Sequence, residues 1–146
     1  MKSILGAFAF VAVLVSGTNA FAMDGDAVAG EKVFKKCAAC HLVDEPKNKV
    51  GPHLDNLFGR KPGGLEDYKY SKGMIAYGED KVWDDATLTE YLAAPKKVVK
   101  GTKMSFAGLK KEEDLANVIA YLKGFSEEAA AGETAAEGEA KTETAN

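Results

Sequence analysis

Two cysteines and a histidine stand within five residues of one another, in the stretch Cys37-Ala38-Ala39-Cys40-His41. These are the only cysteines of the chain, so any thiol chemistry takes place here. Cys-x-x-Cys-His is the attachment motif of a c-type haem, in which each thiol can add to a vinyl group of the macrocycle. The adjacent imidazole is then placed to bind the iron as an axial ligand. The stretch therefore predicts one covalently attached haem.

Three other interpretations compete with haem attachment. A disulfide between Cys37 and Cys40 would close a very short loop and contribute little to the fold. A thioredoxin-like redox pair requires a neighbouring βαβ pattern, which the sequence lacks. A structural zinc ion could in principle use both cysteines with His41 and His53, but such sites usually draw on two well-separated ligand pairs. Haem attachment is the favoured interpretation.

The first 22 residues have the pattern of a cleaved signal peptide. Lys2 gives a short positive region, residues 4–15 form an uncharged apolar run, and Ala20 and Ala22 supply the small residues before a cleavage site. The apolar run is shorter than the ~20 residues that a membrane span needs. The sequence therefore predicts an exported, unanchored protein that is cleaved after Ala22.

Acidic charge is concentrated at the C-terminus. Residues 127–146 hold six Glu and one Lys and contain no aromatic or branched apolar residue, a composition typical of disorder. Residues 23–126 hold 17 basic and 16 acidic residues and are therefore close to neutral. Because about 100 residues suffice for one core, we expect one domain over residues 23–126 and a disordered acidic tail after it.

Helical periodicity appears in four places, and no strand pattern appears anywhere. The predicted helices cover residues 26–37, 71–77, 84–94 and 112–124. Asp26 and Ser71 are suitable N-caps for the first two helices, and Pro95 stops the third. The prediction is an all-α domain of about four short helices and long loops, with residues 95–109 irregular.

Two residues in this pattern need an explanation. Gly30 lies inside the first predicted helix, where glycine costs about 1 kcal/mol relative to alanine, and a close helix crossing would account for it. His53 lies in an irregular segment rich in Gly and Pro, residues 42–61, where we expect it to be an exposed loop histidine.

Several further segments, in the same order along the chain, resemble class I c-type cytochromes. The resemblance is to mitochondrial cytochrome c and to the soluble periplasmic cytochromes c of purple and related alpha-proteobacteria. The shared segments are Cys37 to His41, Gly51-Pro52, Leu57-Phe58-Gly59-Arg60-Lys61, Tyr70-Ser71, Trp83, Tyr91-Leu92, Pro95-Lys96-Lys97, Gly101 to Leu109 and Ala120-Tyr121-Leu122. The resemblance covers residues 26–125 and implies the small cytochrome c fold wrapped around one haem.

The resemblance implies His41 and Met104 as the axial ligands of the haem iron, with Cys37 and Cys40 as the attachment points. Met104 lies in a loop flanked by glycines, whereas Met74, its rival, lies on a predicted helix. Further residues are implied to surround the haem. The implied acceptor for the His41 ring is Pro52. The implied donors to the haem propionates are Arg60, Tyr70 and Trp83. The implied polar neighbours of Met104 are Tyr91 and Thr102.

Two axial protein ligands leave no open position on the iron, which favours a one-electron carrier over a haem enzyme or a gas sensor. The resemblance implies a soluble periplasmic carrier between a quinol–cytochrome c oxidoreductase and a terminal oxidase or photosynthetic reaction centre. Eight lysines near the segments predicted to frame the haem edge would favour docking onto acidic partners. They are Lys35, Lys36, Lys96, Lys97, Lys100, Lys103, Lys110 and Lys111. We expect a monomer that binds no nucleic acid and does not insert stably into membranes.

Overall fold

The computed structural model describes residues 25–127. This part of the chain contains five helices: α1 (Ala27–Phe34), α2 (Lys72–Tyr77), α3 (Asp85–Ala93), α4 (Pro95–Val98) and α5 (Glu112–Lys123). Long loops connect them, and no strand occurs between residues 25 and 127, so the all-α prediction is confirmed. No helix in the same range is long and apolar enough to cross a membrane. The predicted signal peptide and all but the first residue of the predicted tail lie outside the described residues.

Helix α1 begins where the sequence predicts but ends three residues earlier. The Asp26 carboxylate accepts hydrogen bonds from the backbone N–H groups of Val28 and Ala29, at 2.8 and 3.1 Å. After Phe34 the backbone bonds tighten, since the Cys37 N–H donates to the Phe34 carbonyl, three residues back, at 2.7 Å. The predicted extension of the helix to Cys37 is therefore wrong, and both cysteines lie on the turns that follow α1.

Helix α4 lies in a segment predicted to be irregular. Pro95 occupies its first position, where the missing N–H of proline would have no helical partner and the fixed φ angle suits a helix. Pro95 therefore follows α3, which ends at Ala93, and also starts the next helix. Helix α4 was not predicted, because the proline was considered only as a helix stop.

Helices α1 and α5 cross closely, and the crossing joins the two ends of the domain. Gly30 lies against the backbone of Asn117 and the Cβ atom of Tyr121, so there is no space for a side chain. The rings of Phe34 and Tyr121 pack with their centroids 5.3 Å apart. The Asp26 N–H donates to the Asn117 Oδ1 atom at 2.8 Å. The close crossing explains why a glycine stands inside α1.

Gly30→Ala should destabilise the protein, although alanine favours a helix by about 1 kcal/mol over glycine. The added methyl group would overlap the Asn117 carbonyl, and overpacking of this kind costs about 1–3 kcal/mol. We expect a lower free energy of unfolding in denaturant titrations of the haem-loaded protein. Val28→Ala is the control, because Val28 lies on the same helix and is 69 % exposed; it should change the value by less than about 0.5 kcal/mol. An unchanged or higher free energy of unfolding for Gly30→Ala would contradict the close crossing of α1 and α5.

The core is not filled by side chains alone. Fifteen buried apolar side chains form one cluster, and nine of the fifteen also line a single large cavity. The nine are Phe34, Leu57, Met74, Trp83, Leu88, Tyr91, Leu109, Val118 and Leu122. The described part of the chain therefore packs much of its core around an internal space rather than against itself.

Candidate haem site

The cavity has a volume of about 410 Å³, within the usual range for ligand pockets. Every helix of residues 25–127 except α4 contributes to its walls, together with the loops on either side of α2 and the loop after α4. All ten residues that the sequence analysis assigned to the site line this cavity. They are Cys37, Cys40, His41, Pro52, Arg60, Tyr70, Trp83, Tyr91, Thr102 and Met104.

The two cysteines lie on consecutive turns after α1. The N–H groups of Cys40 and His41 both donate to the Cys37 carbonyl, at 2.9 and 3.0 Å. Both thiols are free, so the disulfide that the motif alone allows is not formed. Burial raises the pKa of the Cys37 thiol, and the nearby Lys36 only partly opposes this shift. Two free thiols thus stand at the wall of an apolar cavity.

The His41 ring is fixed on one side. Its Nδ1 atom donates to the Pro52 carbonyl at 2.7 Å, which leaves the lone pair on Nε2. Gly51 lies so close to the ring that any side chain there would collide with it. Burial lowers the pKa of His41, the Pro52 bond opposes that shift, and the charge of Lys49 adds to it. The imidazole is therefore neutral at neutral pH and offers one nitrogen to a ligand in the cavity.

Met104 is positioned by two hydroxyl groups. Its N–H donates to the Thr102 Oγ1 atom at 3.2 Å, and the Tyr91 hydroxyl donates to its sulfur across 3.9 Å. The Tyr91 and Thr102 hydroxyl oxygens lie 3.3 Å apart, so the three residues form one connected set. Burial raises the pKa of Tyr91, and the phenol therefore remains a donor. The thioether is held both by its own loop and by α3.

Met74 brings a second thioether to the same cavity. It lies on α2, is 8 % exposed, and its N–H donates at 3.2 Å to the Ser71 hydroxyl that caps the helix. Among residues 25–127, a hydrogen bond to a methionine sulfur is found at Met104 and not at Met74. The cavity thus has two thioethers, of which one has a polar partner.

Arg60 stands at the cavity wall and is held by the loop around it. Its Nη2 atom donates to the His53 carbonyl at 2.8 Å, and its Nη1 atom donates to the Asp55 carbonyl at 3.1 Å. Its own carbonyl accepts from the Trp83 N–H at 2.9 Å. Burial lowers the pKa of Arg60, while Tyr70 and Asp55 oppose this shift, and a guanidinium stays charged throughout the physiological range. A fixed positive charge therefore faces the cavity.

His53 is buried, so its prediction as an exposed loop histidine is wrong. Its residue is only 8 % exposed, and its N–H donates to the Asn48 Oδ1 atom at 2.9 Å. Its ring Nδ1 atom lies 3.5 Å from the Arg60 Nη1 atom. These contacts join three parts of an irregular loop. Because the loop has no repeating pattern, the sequence carries no signal for the burial of this residue.

The residues at the cavity fit a c-type haem and do not fit a zinc ion. Between residues 25 and 127, no three or more His, Cys, Asp or Glu side chains are grouped so that they could hold a metal ion. The zinc interpretation needs His53, whose ring contacts Arg60 instead. A haem needs apolar walls, two free thiols and axial donor atoms, and the cavity supplies all of these.

The eight lysines expected near the haem edge are all exposed. Lys36 and Lys103 line the cavity itself. The Lys36 ammonium pairs with the Asp114 carboxylate at 3.4 Å, and the Lys103 ammonium donates to the Lys69 carbonyl at 2.6 Å. Two of the eight positive charges therefore stand at the cavity.

The described region is similar to known proteins of one kind. A family model described as Cytochrome c matches residues 27–126. Cytochrome c2 of Afifella marina is 56 % identical over 104 residues, which cover 69 % of this chain and 84 % of that protein. Cytochrome c-554 of Methylosinus trichosporium is 49 % identical over 128 residues, covering 86 % and 95 %. Cytochrome c of the plant Gossypium barbadense is 51 % identical over 104 residues, covering 68 % and 89 %.

Proposed function

This chain belongs to the cytochrome c family, and from that premise we propose that it is a soluble, periplasmic one-electron carrier. Membership implies a covalently bound haem c with its iron, and an electron-transfer protein rather than an enzyme. One observation carries the finer proposal: Cys37, Cys40, His41 and Met104 all line the same apolar cavity.

In this proposal Cys37 and Cys40 form the thioether bonds, and His41 and Met104 bind the iron. The free Nε2 atom of a neutral His41 supports the first axial ligand. The Tyr91 hydroxyl beside the sulfur supports Met104 over Met74 as the second. When bound, the haem supplies a one-electron couple, whose potential is raised by a His/Met pair. Iron held by both His41 and Met104 would have no position left for dioxygen or peroxide, which supports electron transport over the turnover of either.

Other residues at the cavity keep the two ligands in place. The Pro52 carbonyl fixes the orientation of the His41 ring, the usual device for a ligating imidazole. Tyr91 and Thr102 position Met104 through their shared contacts. These three residues thereby limit how far either ligand moves when the electron arrives or leaves.

Arg60, Tyr70 and Trp83 are proposed as donors to the haem propionates. Arg60 uses Nη1 and Nη2 on two backbone carbonyls, and a guanidinium has five N–H donors, so it retains donors for a carboxylate. Tyr70 and Trp83 each bring one further donor to the same cavity. The arrangement would orient the charged edge of the haem toward this part of the wall.

The proposed partners are membrane redox complexes. A quinol–cytochrome c oxidoreductase would supply the electron, and a terminal oxidase or photosynthetic reaction centre would accept it. The eight exposed lysines support steering toward acidic docking surfaces. The signal-peptide pattern of residues 1–22 supports a periplasmic location. The near-neutral domain of residues 23–126 and the acidic tail after it support a protein that acts without nucleic acid. The proposed carrier is a monomer.

Electron transfer to a detergent-solubilised cytochrome c oxidase should slow as ionic strength rises. The Debye length shrinks from about 10 Å at 0.1 M to about 3 Å at 1 M salt, which screens long-range attraction. Lys96→Gln and Lys97→Gln should each lower the low-salt second-order rate constant by roughly two- to fivefold. Stopped-flow oxidation of the reduced protein measures the rate, and the reduction potential of each variant should stay unchanged.

Lys123→Gln is the control for this experiment. The Lys123 ammonium lies 5.8 Å from the centre of the Phe58 ring and pairs with Asp85 at 2.9 Å, whereas neither Lys96 nor Lys97 forms an ion pair within residues 25–127. Its rate constant should match that of the unaltered protein. A rate independent of salt, or an equal loss for Lys123→Gln and Lys97→Gln, would contradict docking through the haem edge. Failure to transfer electrons at any salt concentration would contradict the carrier itself.

A further inference from the structure

His53 is a buried titratable side chain that the proposed function leaves unused. The chain has two histidines, and the other, His41, is the proposed iron ligand. His53 does not line the haem cavity. It lies behind Arg60, which does line the cavity, and it contacts the guanidinium directly.

Two contacts bind His53 to Arg60. The His53 carbonyl accepts from Nη2 at 2.8 Å, and its ring Nδ1 atom lies 3.5 Å from Nη1. A guanidinium donates hydrogen bonds and accepts none. In this contact Nδ1 is therefore the unprotonated acceptor, and the proton of a neutral ring is on Nε2.

Protonation of the ring would change both the contact and the charge near the cavity. A proton on Nδ1 removes the acceptor for Nη1, and it places a second positive charge 3.5 Å from the guanidinium. Like charges at this distance repel each other. Arg60 then loses one of the contacts that hold it at the cavity wall, and the positive charge behind that wall increases.

The groups around His53 define the electrostatic setting of this change. Besides Arg60, the charged side chains of the open surface pocket that His53 lines belong to Asp55 and Glu127. The Asp67 carboxylate accepts from Asn48 at 2.9 Å, and Asn48 in turn accepts from the His53 N–H. One fixed cation thus lies beside the ring, two carboxyl groups line the same pocket, and a third contacts Asn48.

We propose that His53 is a positioning residue for Arg60 and that its proton makes the reduction potential of the protein depend on pH. The proposal rests on the proposed function, since it requires Arg60 to face the haem of an electron carrier. Positive charge behind the cavity wall favours the reduced form, which has one positive charge fewer than the oxidised form. The potential should therefore rise as pH falls and the ring gains its proton. By reciprocity, adding the electron increases proton uptake from solvent at His53.

The test compares the reduction potential of the haem-loaded protein and of His53→Asn by spectroelectrochemical titration at several pH values from 5 to 8. Asparagine keeps a side-chain oxygen that can accept from Arg60 but carries no titrating proton. We expect His53→Asn to lose the rise in potential at low pH. Asp55→Asn is the control and should keep the rise, because Asp55 contacts Arg60 through its backbone carbonyl.

A rise that persists in His53→Asn, or a potential of the unaltered protein that is flat from pH 5 to 8, would overturn the proposal. A second measurement needs no variant: NMR titration of the His53 ring protons in the reduced and oxidised protein. We expect the midpoint at a higher pH in the reduced state, and identical midpoints would also overturn it. Any of these results would leave the carrier assignment intact as long as the protein shows a reversible one-electron couple. The carrier assignment itself would be refuted if no such couple were found.

Discussion

In Met104→Ala we expect an iron with an open sixth position, in a haem that stays attached to the polypeptide. Alanine offers no donor atom, while Cys37, Cys40 and His41 are unchanged. The absorption band that arises from charge transfer between methionine sulfur and ferric iron should disappear. The reduction potential should fall by roughly 0.1 V or more, since axial ligands control a range of ~0.8 V. Carbon monoxide and azide should then bind tightly, which spectroscopic titration would show.

Met74→Leu is the matched control, because it removes the other thioether of the cavity and keeps an apolar side chain of similar size. It should retain the charge-transfer band and a potential close to that of the unaltered protein. If Met74→Leu lost the band and Met104→Ala kept it, the iron ligand would be Met74 and not Met104. Tight binding of carbon monoxide by the unaltered protein would argue against a closed iron site altogether.

Without haem, we expect the domain to lose its helices. The longest helix of residues 25–127 has 12 residues, and isolated helices below about 12–15 residues are marginal in water. Nine of the fifteen core side chains line the cavity and would face empty space or water. A haem-free chain carrying Cys37→Ser and Cys40→Ser should give little helical circular dichroism and no cooperative melting transition.

Addition of free haem to the same double variant separates the loss of the cofactor from the loss of the thiols. His41, Met104 and the apolar walls are intact in this variant, so helical signal should return on haem binding. A cooperative, native-like melt of the haem-free chain would refute the dependence of folding on haem.

Local signals in the sequence predicted the features that depend on a few neighbouring residues. The carboxylate of Asp26 and the hydroxyl of Ser71 cap α1 and α2, as their side-chain chemistry indicates. The start of α4 was missed although it also has a local cause, because Pro95 suits a helix start as well as a helix stop. Secondary structure was therefore predictable except at Pro95, where one residue type has two roles, and after Phe34, where the backbone bonds tighten and end α1 early.

The motif alone predicted Cys37, Cys40 and His41, whereas the rest of the candidate site depended on tertiary contacts and was predicted only through resemblance to a family. No periodicity indicates that Met104 would meet the hydroxyl of Tyr91 or that the ring of His41 would meet the carbonyl of Pro52. The burial of His53 was predicted neither from a sequence pattern nor from the resemblance. Its burial follows from contacts with Asn48 and Arg60 across an irregular loop, and no pattern in the sequence marks them.

The crossing of α1 and α5 also determines the order in which the domain can assemble. The hydrogen bond from Asp26 to Asn117 closes a loop of 91 residues, and closing a loop of that length costs about 4 kcal/mol in chain entropy. Among the helices of residues 25–127, α1 is synthesised first and therefore waits for α5, the last. Until α5 emerges, Phe34 and the bare backbone at Gly30 have no partner, and a chain cut short before Asn117 would keep this face of α1 open to water.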